Sequence, residues 1–247
     1  MEHLLTADSL ISLLTLTLME IVLGIDNVIF ISIVSAKLPA EEQKKARGLG
    51  IFMALFIRVL LLLVIKWIIG LTQPVFTIPD FGIELNEEQR GISWRDIILF
   101  AGGLFLLAKS TLEIHHKITE PDDHDPDMPK NRRNFMSVVW QIMLLDIVFS
   151  FDSIITAVGL ADHVEIMIIA VLISMVIMFV FAGPISRFIN KHPTMKMLAL
   201  SFLLMIGLTL VAEAFAFHVP KGYVYFAMAF SLFVEAMNMR LRKKTEA

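Results

Sequence analysis

Apolar residues gather into seven runs along the chain, at about 9–36, 49–70, 96–115, 137–160, 164–184, 197–218 and 222–239. A helix needs roughly 20 residues to cross a hydrocarbon core of about 30 Å, and most of the runs have that length. The pattern predicts an all-α membrane protein with seven transmembrane helices. The first run is long: about 28 residues at ~1.5 Å each make a helix of ~42 Å. It must tilt, overhang the core or break. Met1-Glu2-His3 lacks the basic stretch of a signal peptide, so the first run is read as a retained span.

The polar residues inside these runs are patterned too. The first run contains Glu20-Ile-Val-Leu-Gly-Ile-Asp26-Asn27-Val28, and the fourth contains Asp146-Ile-Val-Phe-Ser-Phe-Asp152-Ser153-Ile154. Glu20 falls on Asp146, Asp26 on Asp152 and Asn27 on Ser153, each pair 126 positions apart. The third and sixth runs also end alike, one with Glu113 before His115 and the other with Glu213 before His218. Repeat 1 therefore covers about 9–115 and repeat 2 about 137–218, joined by a cytoplasmic loop at 116–135. Three spans per repeat is an odd number, so the second repeat enters the membrane upside down. Such inverted repeats are a common transporter architecture, with the site near the midplane at the repeat interface. The helix at 222–239 is an addition, and the whole chain, 1–247, reads as one transmembrane domain.

Charge sets the orientation. The segments at 37–48, 116–135, 185–196 and the C-terminal tail hold 15 Lys and Arg residues, against Arg90, Arg95 and Lys221 on the other side. By the positive-inside rule the N-terminus is outside and the C-terminus cytoplasmic. The expected location is the bacterial plasma (inner) membrane, multi-pass. Composition agrees: 57% of residues are hydrophobic, against roughly 45–50% in soluble domains, and the mean hydropathy is +0.75. With no cysteine, disulfides, thiolate metal sites and cysteine nucleophiles are excluded.

An acid at the bilayer centre costs at least ~2.5–3.5 kcal/mol, so such groups face a cavity, a partner or an ion. Here four acids come in two matched pairs. Glu20 and Asn27 are seven apart and share a helix face, as do Asp146 and Ser153. Asp26 and Asp152 lie about 120° round the helix from their paired acids. Convergence of each pair needs a local break, for which Gly24 is the candidate hinge and Ser150 its weaker equivalent. Carboxylate, carboxamide and hydroxyl oxygens are hard donors that suit Mg²⁺, Mn²⁺ or Ca²⁺. The competing reading is a structural network in which Arg58 or Lys109 neutralises the acids, with Lys109 and Glu113 pairing four apart on one face. His115, His116, Glu120, Asp122, Asp123, His124, Asp125 and Asp127 read as a solvated acidic loop that has metal binding as its alternative. Trp67, Trp94 and Trp140 sit where interfacial anchors do. Gly102-Gly103 and Gly207 suit close helix packing.

Leu23-Gly24-Ile25-Asp26-Asn27 and Phe149-Ser150-Phe151-Asp152-Ser153-Ile154 resemble the two signature motifs of the TerC family of integral membrane proteins. Gln141-Ile-Met-Leu-Leu-Asp146, Lys196-Met-Leu-Ala-Leu-Ser201 and His218-Val-Pro-Lys-Gly-Tyr223 match as well. The resemblance implies a fold related to LysE-type transporters and export of Mn²⁺. It implies that Asp26, Asn27, Asp152 and Ser153 bind the metal, with Glu20 and Asp146 as supporting ligands or proton carriers. Glu113, Glu213, Arg58 and Lys109 are secondary or supporting residues. The family takes its name from tellurium resistance, but four carboxylates would repel the tellurite anion, so such a phenotype would be indirect. The expected partners are the lipid bilayer, the metal ion and protons, with no nucleic acid and no organic cofactor. Homo-oligomerisation and membrane partner proteins are both compatible with the pattern. No enzyme activity is expected; an intramembrane aspartyl protease would use two Asp on two spans, but it leaves the other repeated polar residues without a role. The alternative to export is a non-transporting membrane component of a metal or tellurium stress-resistance complex.

Overall fold

The computed structural model describes residues 7–77, 91–119, 134–158 and 164–245. The seven apolar runs become long helices: α1 (Ala7–Ser35), α2 (Ala40–Leu63) with the short α3 (Ile65–Gly70), α4 (Trp94–Thr119), α5 (Phe135–Val158), α6 (Val164–Lys191), α7 (Pro193–Ala214) and α8 (Lys221–Thr245). Six of them are long and apolar enough to cross a membrane, and Phe135–Phe151 of α5 forms a shorter apolar stretch. The protein is an all-α membrane protein. Two short strands, β1 (Pro74–Thr77) and β2 (Gly91–Ser93), pair on either side of the segment 78–90.

Helices extend further than the apolar runs. Lys44, Lys45 and Arg47, expected in a loop, lie on α2. The buried stripe of α2 (Ala46, Gly50, Ile51, Ala54, Arg58, Leu62) starts in this charged stretch. Glu41 and Glu42 in its first turn favour the positive end of the helix dipole. Arg187 and Lys191, also expected in a loop, lie on α6, which continues through Pro184 because its apolar periodicity (Ala182, Ser186, Ile189) does not stop there. His192 alone separates α6 from α7, with Pro193 at the favoured first helical position. The run at 49–70, expected as one span, is interrupted. Val64 sits at φ −98° and ψ 20°, while its N–H still bonds to Leu60 O at 3.1 Å. Nothing in Leu63-Val64-Ile65 explains the interruption.

The chain gathers into two compact units, residues 1–74 with 126–190 and residues 75–125 with 191–247. In the first, α1 and α2 pack against α5. The second half of α1 is buried on all sides (Val28 to Val34), as a helix apolar all round must be. Its first half exposes Leu10, Ile11, Leu14 and Leu18, the face a lipid would cover.

In the second unit α4 packs against α7 and α7 against α8. The α4–α7 contact is backbone to backbone. A Cβ on Gly103 would lie 2.8 Å from Gly207 O, and one on Gly207 would lie 3.0 Å from Leu106 Cβ and 3.1 Å from Gly103 O. The helices touch where side chains are absent, as the glycine pattern predicts. Gly207→Val is expected to destabilise this unit by about 1–3 kcal/mol, the usual cost of overpacking. An unchanged thermal midpoint in detergent would disprove the close contact. The start of α4 carries a capping box. Ser93 Oγ accepts the Asp96 N–H at 3.2 Å, and the Asp96 carboxylate accepts the Ser93 N–H at 2.9 Å.

Candidate cation site

The first unit buries three charges in contact. Arg58, Glu20 and Asp146 expose 3%, 5% and 4% of their surface. α2 places Arg58 on its buried stripe, and α1 and α5 supply the acids. Arg58 Nη1 donates to Glu20 Oε2 at 2.6 Å. Toward Asp146 the guanidinium presents its fork: Nη2 donates to Oδ1 at 2.8 Å, and Nε to Oδ1 at 3.2 Å and Oδ2 at 3.4 Å. Ser150 Oγ donates to Asp146 Oδ2 at 3.1 Å. Asp146 is thus held by Arg58 and Ser150, and Glu20 by one guanidinium bond with the Ser153 hydroxyl beside it. Buried charges persist only when paired and hydrogen-bonded, and this set meets that condition. The two acids that the repeat relates meet through Arg58, as the competing sequence reading held.

The polar faces fall where the spacing put them. Asn27 and Ser153 are buried beside their paired acids, at 7% and 5% exposure. Ser153 Oγ donates to Ser150 O at 3.2 Å. Asn27 Oδ1 is different: it is buried with no hydrogen-bond partner among the described residues. It lines a small hollow with Arg58, Asp146, Met175 and Met178. A second hollow lies beside Glu20, walled by Leu16, Leu62, Ile154 and Met167. Each has room for about one water molecule.

The expected break is not there: α1 is one helix through Gly24 and α5 one helix through Ser150. Gly24 instead gives room to α6, since a Cβ there would overlap Met178 Sδ and sit 3.1 Å from its Cε. On unbroken helices Asp26 and Asp152 remain about 120° from Glu20 and Asp146. The side chains of Asp26 and Asp152 lie outside the described residues, as does the acidic loop at 120–133. The ion pair Lys109 Nζ to Glu113 Oε1 forms at 3.4 Å, four residues apart as expected. Glu213 Oε1 is paired with Arg95 Nη2 at 3.4 Å in the same unit. The rings of His115 and His116 are 6.3 Å apart at the end of α4. Among the described residues no group of three or more His, Asp or Glu side chains is placed to hold a metal.

Sequence reasoning passed over two residues. Thr17 Oγ1 is buried with no partner among the described residues, and its spacing from Glu20, Gly24 and Asn27 puts all four on one face of α1. Arg95 was counted only as a loop charge; its place beside the capping box Ser93-Trp-Arg-Asp96 was the signal that it opens a helix.

Buried, paired charges on helices long enough for a bilayer define a polytopic integral membrane protein with a polar centre inside its helix packing. The chain belongs to the integral membrane protein TerC family, which it matches over residues 5–247. It is 48% identical over 243 residues to UPF0053 inner membrane protein YoaE of Escherichia coli K12, a match that covers 98% of this chain and 45% of that protein. The chain thus spans about half the length of that relative. It is 46% identical over 242 residues to a UPF0053 protein of Haemophilus influenzae, covering 98% of both chains. It is 50% identical over 230 residues to UPF0053 inner membrane protein YgdQ of Escherichia coli, covering 93% of this chain and 92% of that one. No solved structure matches. With its six apolar helices and its inner-membrane relatives, the protein is a multi-pass protein of the bacterial inner membrane.

Proposed function

We propose that this protein exports a divalent metal cation, Mn²⁺ above others, from the cytoplasm, with protons moving in exchange. The observation that carries the reading is the unpartnered carboxamide oxygen of Asn27, buried in a hollow whose wall includes Asp146. A buried acceptor without a donor costs free energy, and a cation or its bound water relieves that cost. The side-chain oxygens on the wall of the hollow come from the Asn27 carboxamide and the Asp146 carboxylate, hard donors of the kind that dications prefer. Asp26 and Asp152, about 120° round the unbroken helices from Glu20 and Asp146, bind the ion at a neighbouring position in this reading. Carboxylates that exchange metal for protons supply the coupling.

The architecture behind this reading is a 3+3 inverted repeat of seven spans, N-terminus outside. Its support is the interleaving of the two sequence halves: α1 and α2 pack with α5, and α4 packs with α7. The metal is substrate, and we propose neither an enzymatic reaction nor an organic cofactor. One observation favours the alternative of a non-transporting resistance component: Arg58 already pairs with two of the four acids. Flux separates the two. Purified protein in liposomes is expected to move Mn²⁺ into a dye-loaded lumen, faster with an opposing proton gradient. Absence of protein-dependent flux under either condition would sink the transport reading.

A further inference from the structure

The two hollows lie on opposite sides of the Arg58 cluster. The one beside Glu20 is walled by Leu16, toward the start of α1, and Leu62, at the end of α2. The one beside Asn27 is walled by Ile31, toward the end of α1, and Ile51, at the middle of α2 and about three turns before Leu62. The two walls therefore lie in opposite directions along this antiparallel helix pair. Glu20 lines the first hollow, and Asp146 and Arg58 line the second. Arg58 joins the acids across the gap, at 2.6 Å on one side and 2.8 Å on the other.

We propose that Arg58 is a latch: a tethered cation that occupies Glu20 and Asp146 when the transporter is empty and is displaced by the arriving metal. The proposal rests on the cation-transport reading and names how that site is controlled. An empty carboxylate site open to both sides would leak. The guanidinium closes it, and it leaves only when a divalent cation offers the acids more. A latch also speeds unloading, because Arg58 competes for the same oxygens as the ion departs. Two features make the fork suited to this. Its planar donors match Asp146 bidentately, and the hollows beside Glu20 and Asn27 each have room for a water to solvate a group that is released.

The latch sets a measurable tax. If nine in ten empty molecules are latched, the apparent affinity for the ion falls about tenfold below its intrinsic value. The test uses the full chain with Mn²⁺ as the probe, measuring equilibrium binding in detergent and efflux from liposomes. Arg58→Gln is expected to tighten Mn²⁺ binding about tenfold and to slow net efflux. Arg58→Lys keeps the charge but loses the fork; it is expected to tighten binding by about threefold. Weaker or unchanged binding in both variants overturns the latch and makes Arg58 a structural bridge. Tighter binding in Arg58→Gln with unchanged binding in Arg58→Lys also overturns it, because Arg58 would then act only as a background positive charge. Should Arg58→Gln fail to fold, Arg58→Lys alone decides. Wild-type protein that neither binds nor moves Mn²⁺ overturns the transport reading itself, and the latch with it. A wild type that binds and transports while both variants bind no more tightly overturns the latch alone.

Discussion

Asp146→Ala is expected to destabilise the protein by about 3–5 kcal/mol, the cost of removing one partner of a buried ion pair. Arg58 would lose its bonds to both Asp146 oxygens and Ser150 Oγ would lose its acceptor. The guanidinium would keep one bond, to Glu20. Glu20→Ala is expected to cost less, because Arg58 then retains its whole fork on Asp146. The hollow beside Glu20 also offers room for a water in place of the lost carboxylate. The ordering Asp146 above Glu20 is the sharp part of the expectation. Thermal or denaturant unfolding in detergent measures it, and equal costs for the two variants would contradict the asymmetric grip. A triple replacement makes a useful control. Changing Arg58, Glu20 and Asp146 together to apolar residues of similar volume removes all three charges, and such swaps are often neutral or stabilising. If stability returns while Mn²⁺ binding does not, the cluster serves function at the expense of the fold.

Much of this was legible in the sequence, for physical reasons that can be named. Spans announce themselves because every backbone polar group must be satisfied inside a bilayer, which makes long apolar helices the default. The shared faces of Glu20 with Asn27 and of Asp146 with Ser153 followed from their seven-residue spacing, and all four are buried. Gly103 and Gly207 were read as packing residues, and they are. Helix ends were harder. Lys44, Lys45 and Arg47 continue α2 because charged residues are good helix formers once they stand on the exposed side of a buried stripe. Pro184 did not end α6, since the apolar periodicity on both sides of it holds the helix in place. Gly24 shows how a local signal misleads. A glycine in an apolar helix is compatible with either a hinge or a close approach, and the choice depends on a neighbour far along the chain, Met178. The Arg58 bridge posed the same difficulty. Its position near mid-span made the pairing conceivable, but only the packing of α1, α2 and α5 shows that one guanidinium reaches both acids.

Asp26→Asn and Asp152→Asn are each expected to abolish Mn²⁺ transport, by at least about a hundredfold, with the protein still inserted and folded. The substitution keeps side-chain volume and removes one negative charge. For a hard dication held by oxygen ligands, the number of charged ligands sets the affinity, and loss of about 3 kcal/mol corresponds to a factor of over a hundred. These two acids differ from the cluster pair in one respect that makes the test clean. On the unbroken helices α1 and α5 they stand about 120° round from Glu20 and Asp146. Their neutralisation should therefore leave the ion-pair cluster intact, and the unfolding midpoint should move far less than in Asp146→Ala. Efflux from liposomes and unfolding in detergent, measured on the same preparations, give the two readouts. Retained efflux in either variant would take the metal site away from the repeated Asp. A collapse in stability matching that of Asp146→Ala would instead tie these residues to the structural cluster, and the division of labour between the inner ion pairs and the flanking carboxylates would fail.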